Sequence, residues 1–187
     1  MKHLIVGLGN IGDEYARTRH NIGFMILDAL AGASNISFRT ERYGDVATMR
    51  VKNQECVLLK PSTYMNLSGN AVRYWLQKER IELSNLLVCV DDIALPFGAI
   101  RIKPGGSDAG HNGLKNIAQM LGTQNYARLR FGVGNDFQRG AQIDYVLGNF
   151  TPEQRQELPA RIDVAVEAIR TAVLMGLQKA MCDFNNK

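Results

Sequence analysis

A single α/β domain over residues 1–187, built on a twisted, mixed and largely parallel β-sheet flanked by helices, is the fold this chain predicts, on three observations. Short β-prone runs alternate with helical apolar patterns from the first residues onward. The continuous apolar run Leu86-Leu87-Val88-Cys89-Val90 has the character of a central strand covered on both faces. The 187 residues, 45% hydrophobic and 21% charged, suit one core at roughly 100–200 residues per domain. That composition excludes disordered, collagen-like and coiled-coil classes.

The first predicted strand is Leu4-Ile5-Val6, followed by a helix on which Ile22, Met25, Ile26, Ala29 and Leu30 recur at helical spacing until Gly32. Val46–Val51 and Cys56–Leu59 are β-prone runs divided by Asn53-Gln54, which predicts a hairpin that Pro61 closes. This hairpin is the reason to expect a mixed sheet. A second helix is expected from near Ser68 to Lys78, with Val72, Trp75 and Leu76 on one face. The strand at 86–90 then ends on Asp91-Asp92, so its carboxyl end presents carboxylates. Ile100-Arg101-Ile102-Lys103 alternates, the glycine-rich loop from Gly105 to Gly110 precedes a helix from about Gly113 to Leu121, and Leu129–Val133 adds a strand. Thr151-Pro152-Glu153-Gln154 is a capping-box pattern opening the last helix, which Pro159 is expected to break or kink.

The 22 basic and 18 acidic residues leave a net charge of +4, which permits an anionic partner without requiring one. Three widely spaced cysteines, Cys56, Cys89 and Cys182, suggest neither a disulfide framework nor a zinc site, as expected in a reducing cytosol. No apolar run approaches the roughly 18 residues of a membrane span, and no targeting segment is expected before Leu4.

Gly7-x-Gly9-x-x-Gly12 after the first strand has dinucleotide-fingerprint spacing. Asp13 and Glu14 would sit beside the bound pyrophosphate, and no acidic residue ends a second strand about 20 positions on, so a nucleotide-dependent oxidoreductase is disfavoured. Glycines making a tight turn that lets Asn10 face a cleft explain the pattern better. Of three histidines, His3 reads as a surface or edge residue, while His20 and His111 each precede a helix beside a loop. A neutral imidazole there could act as a base. Asp91, at a buried strand's carboxyl end, could fix such a ring's tautomer. Asn10, Asn66 and Asn112 fall at strand–helix junctions, where an amide can cap, bind backbone or support an oxyanion. Arg101, Lys103, Lys115, Arg128, Arg130 and Arg139 cluster in the second half, and the alternating pairs could clamp a phosphate.

Together, Gly7-Leu-Gly-Asn-Ile-Gly-Asp-Glu-Tyr-Ala-Arg-Thr-Arg-His-Asn-Ile-Gly23, Lys60-Pro-Ser-Thr-Tyr-Met-Asn-Leu-Ser-Gly69 and Gly110-His-Asn-Gly-Leu-Lys115, with Asp91 between the last two, closely resemble the bacterial-type peptidyl-tRNA hydrolases. The resemblance covers nearly the whole chain. It implies hydrolysis of the ester joining a peptide to the 3′-terminal ribose of tRNA by a cytoplasmic monomer that needs no metal or other cofactor. It implies His20 as general base, Asp91 as its orienting carboxylate and Asn10 as a holder of the reacting end. Tyr15, Tyr64, Asn66, His111 and Asn112 would contact substrate, and Lys103 with Arg130 would grip the tRNA 5′-phosphate. The chain departs from the family's common pattern at Ile11, where Pro is usual, at Ala94, where a carboxylate is usual, and at Asp108, in a loop more often all glycine. A relative that binds RNA as a splicing cofactor without hydrolysis is the main alternative.

Overall fold

The computed structural model describes all 187 residues, Met1–Lys187. Seven strands form one sheet: β1 (Lys2–Gly7), β2 (Arg39–Glu41), β3 (Gly44–Val51), β4 (Gln54–Pro61), β5 (Leu86–Asp92), β6 (Ile100–Lys103) and β7 (Ala127–Gly132), in the order β2-β3-β4-β1-β5-β7-β6. The pairs β4–β1, β1–β5 and β5–β7 are parallel, whereas β3 and β6 run against their neighbours, so the mixed, largely parallel expectation is met. The hairpin turn is at Lys52-Asn53 instead of Asn53-Gln54, because Lys52 takes the left-handed conformation at φ 53° and frees Gln54 to pair with Val51.

Six α-helices cover the sheet: α1 (Ile22–Ala33), α2 (Ser68–Lys78), α3 (Asn112–Leu121), α4 (Gln142–Val146), α5 (Pro152–Met175) and α6 (Leu177–Phe184). Alternation along the strands divides the core. Ile5, Leu58, Cys89, Leu129 and Phe131 pack with α1, α5 and α6, while Leu4, Val6, Val57, Val88 and Val90 pack with α2 and α3. The two layers hold 26 and 18 buried apolar residues respectively, so both faces of the central strands are covered.

Pro159 does not break its helix: α5 passes through it to Met175. One lost backbone bond at an exposed position is outweighed by the apolar stripe Ile162, Val166, Ile169 and Val173, all buried against the sheet. The capping box at Thr151 is present, with Gln154 N–H donating to Thr151 Oγ1 at 3.1 Å and Thr151 N–H donating to Gln154 Oε1 at 3.0 Å. Strand β2 and helices α4 and α6 are additions to the predicted elements. The segments are short and their apolar periodicity is correspondingly brief.

Gly7 is required by packing, not by a turn. A Cβ there would strike the Gly23 carbonyl, and a Cβ on Gly23 would meet the Leu8 nitrogen and lie 2.6 Å from the Cys89 carbonyl oxygen. Backbone therefore lies on backbone where α1 crosses β1. This contact brings the residues just before α1 to the carboxyl end of the sheet.

Candidate active site

The chain leaves β1 toward one edge of the sheet, through α1 and the meander β2–β4, then crosses back by α2 to β5 on the other side of β1. The carboxyl ends of β1 and β5 thus form a crevice where the winding reverses, the usual location for a ligand in an open α/β sheet. A cavity of about 310 Å³ opens there. Its lining includes Asn10, His20, Tyr64, Asn66, Asp91, His111, Asn112 and Arg130 from the predicted set.

The residues before α1 form a 3-10 turn, Arg19–Asn21, that aims His20 at the end of β5. His20 Nδ1 lies 2.9 Å from both carboxylate oxygens of Asp91, and His111 Nε2 lies 2.9 Å from Oδ1 of the same group. The two rings are 5.0 Å apart between centroids. His111 also caps α3, its Nδ1 accepting from the N–H groups of Gly113 and Leu114 at 3.1 and 3.3 Å. With Nδ1 accepting, the proton of the neutral ring must be on Nε2, which therefore donates to Asp91. His20 donates through Nδ1 in turn, leaving Nε2 as an unengaged lone pair on a residue that lines the cavity.

Burial would raise the Asp91 pKa. With the rings protonated, the charges of His111 and His20, together with the hydrogen bonds they donate, more than reverse that and hold its carboxyl well below the usual carboxylate range. The ligand atoms of His20, Asp91 and His111 lie within 4.8 Å of one another, close enough to surround a cation. A metal would need the lone pair of His111 Nε2, whereas the capping bonds at Nδ1 keep a proton there. The arrangement suits proton transfer rather than metal ligation.

Asn10 is locked by its surroundings. Its backbone N–H donates to Asn21 Oδ1 at 2.9 Å, its carbonyl accepts from Asn21 Nδ2 at 3.0 Å, and its side-chain oxygen accepts from Met65 N–H at 2.8 Å. Because an N–H can bond only to the amide oxygen, the Asn10 Nδ2 group remains as a donor on the cavity wall. The exposed side chains of Asn66 and Asn112 line the same space from the α2 and α3 side. Asn21, fully buried, is a supporting residue to which the sequence reading gave no role.

Arg101, Lys103, Arg128 and Arg130 share one face of β6 and β7, as alternation predicted, with Lys103 opposite Arg128 and Arg101 opposite Arg130. Their exposure differs. Lys103 is exposed, whereas Arg128 and Arg130 are buried. Both arginines donate to the Ser107 carbonyl, at 3.2 and 2.8 Å, and Arg130 Nη1 lies 3.8 Å from Asp92. The glycine-rich loop is thereby tied to the sheet. Asp108 organises it further, its carboxylate accepting from Gly110 N–H and its carbonyl from His111 N–H.

Tyr15 is not among the residues lining the cavity; its carbonyl accepts from Thr18 in the turn before His20. Gln142, Ile143, Val146 and Leu147 form a wall that the sequence reading missed. The i, i+3, i+4 spacing of Ile143, Val146 and Leu147 was the available signal.

A family model described as peptidyl-tRNA hydrolase matches residues 4–187. A curated peptidyl-tRNA hydrolase of Bacteroides fragilis is 63% identical over 187 residues, covering 100% of both chains. One from Porphyromonas gingivalis is 60% identical over 185 residues, covering 99% of this chain and 100% of its own. The crystal structure of peptidyl-tRNA hydrolase from Acinetobacter baumannii superposes with a TM-score of 0.91 at 32% identity, covering 99% of this chain and 96% of that one.

Proposed function

The chain belongs to the peptidyl-tRNA hydrolase family, and from that premise we propose that it cleaves the ester of peptidyl-tRNA with a water activated by His20. The observation that carries this mechanism is the His20 Nδ1–Asp91 bond at 2.9 Å, which leaves Nε2 free on the cavity wall. Nε2 takes a proton from water as the water oxygen attacks the ester carbonyl carbon and the carbonyl electrons move onto oxygen. The resulting imidazolium is stabilised by Asp91. Asn10 Nδ2 donates to the developing oxyanion, and Asn66 and Asn112 hold the peptide or the water. Collapse of the tetrahedral intermediate expels the ribose oxygen, which recovers the proton from Nε2. An ester is a good enough acyl donor for this route to proceed without a serine nucleophile or a metal.

Lys103, exposed on β6, is the phosphate contact for the 5′ end of the tRNA, and Arg130 backs it from the cavity floor. On this reading the chain acts as a monomer in the cytoplasm. The test is release of the acyl group from N-blocked aminoacyl-tRNA by purified protein. His20→Ala should lower the rate on the order of 10²–10⁴-fold, and a fall of less than about tenfold with the fold intact overturns the base assignment. RNA binding without any release would favour the splicing-cofactor reading.

A further inference from the structure

Arg19 is the residue before His20, and the mechanism makes no use of it. Its side chain is buried, with 7% exposure for the whole residue, yet no carboxylate pairs with it and its Nε has no hydrogen-bond partner. A buried guanidinium without a counter-ion is costly, so burial there is not explained by stability. What it touches is the segment whose neighbouring residues Ile143, Val146 and Leu147 line the cavity. Nη1 donates to the Tyr145 carbonyl at 3.0 Å, and the guanidinium lies 4.0 Å from the Tyr145 ring centroid and 5.8 Å from that of Phe150. The Arg19 backbone N–H donates to Gly148 at 3.0 Å, and Thr18 forms an isolated bridge with Asn149.

Helix α4 needs such a hold. It has five residues, none of them buried and none capped by a side chain, and helices shorter than about 12 residues are marginal without tertiary support. Apart from Arg19, Tyr145 is held by its hydroxyl on the Val133 carbonyl at 2.7 Å and by the Phe137 ring. The side chains of this segment that line the cavity are Gln142 at its start and three apolar residues, Ile143, 71% exposed, Val146 and Leu147.

We propose that Arg19 is a positioning residue that fixes Ile143, Val146 and Leu147 as an apolar, specificity-determining subsite for the acyl side chain of the substrate. The proposal rests on the hydrolase reading. One residue thereby links the turn carrying His20 to the surface that orients the peptide.

The experiment compares two N-blocked aminoacyl-tRNAs, one acylated with phenylalanine and one with glycine, in the wild type, Arg19→Met and Arg19→Lys. Arg19→Met should shift the ratio of the two KM values against phenylalanine on the order of tenfold. Arg19→Lys, which keeps a cation and a donor, should recover most of it. Loss of folded enzyme would scale kcat for both substrates alike and leave the KM ratio unchanged, and that result overturns the proposal. In Arg19→Met, the additional effect of Ile143→Ala on the same ratio should shrink, because the wall is already displaced. Full additivity counts against the link. Two readouts stand apart from turnover. The first is the Kd of amide-linked 3′-aminoacyl adenosine analogues with phenylalanyl or glycyl groups; the second is amide exchange at Tyr145–Gly148, which Arg19→Met should speed. If the wild type binds the analogues but does not turn over, the hydrolase reading fails while the Kd ratio still decides Arg19.

Discussion

Asp91 is placed so that its charge is useful and its burial is tolerable, since two rings donate to it at the carboxyl end of β5. Removing one donor leaves a buried carboxylate short of a partner, at a cost of about 1–3 kcal/mol. His111→Ala also uncaps α3, which costs roughly 0.5–2 kcal/mol. Urea unfolding should therefore show His111→Ala clearly destabilised, while its rate loss stays smaller than that of His20→Ala because Nε2 of His20 survives. The sign of the pH effect follows from the lowered carboxyl pKa. A carboxyl that ionises more easily folded than unfolded adds stability above its unfolded value near pH 4, lost as the pH falls below that value toward the folded one. The stability gap between wild type and Asp91→Asn should be full at neutral pH and close below about pH 4. A gap that widens on acidification contradicts this. Sequence paired His20 with Asp91 only through the family resemblance and could not tell that His111 shares the carboxylate, because the contact depends on how far α3 starts from β5 in space.

At the level of elements, the site depends on α1 lying against β1. Alanine at position 23 gains about 1 kcal/mol of helix propensity, but its Cβ would be forced onto the Leu8 and Cys89 backbone, where overpacking costs typically 1–3 kcal/mol. Since the obstacles are main-chain atoms that cannot rotate away, the clash should win. Gly23→Ala should lower Tm and also kcat, by lifting His20 and Asn21. Strands and long helices were legible because buried faces impose their period over many residues, as in Leu86–Val90 and Ile162–Val173. Short α4 was not, since its five residues carry the helical period over little more than one turn. The same limit applies to Arg128 and Arg130. Alternation gave their face, but only the fold reveals that Ser107 occupies both.

Across the whole molecule, β6 is two strand spacings from β5, about 10 Å within the sheet, with Lys103 level with Val88 and not with Asp91, and on the proposed function one tRNA acceptor stem spans from Lys103 to the His20–Asp91 pair. Lys103→Ala should weaken tRNA binding and reduce the salt dependence of log Kd by about one unit of slope, without altering the pH profile of the chemical step. Filter binding across a range of salt concentrations checks this, and an unchanged slope would remove Lys103 from the interface. The sheet also separates two packed layers, and Trp75, the one tryptophan of the chain, lies in the layer of α2 and α3. Its emission consequently senses only that half of the protein, whereas far-ultraviolet ellipticity draws heavily on the 24-residue helix of the other. Any mismatch between the two melting curves would betray the halves parting company, with the histidines on opposite sides of the split.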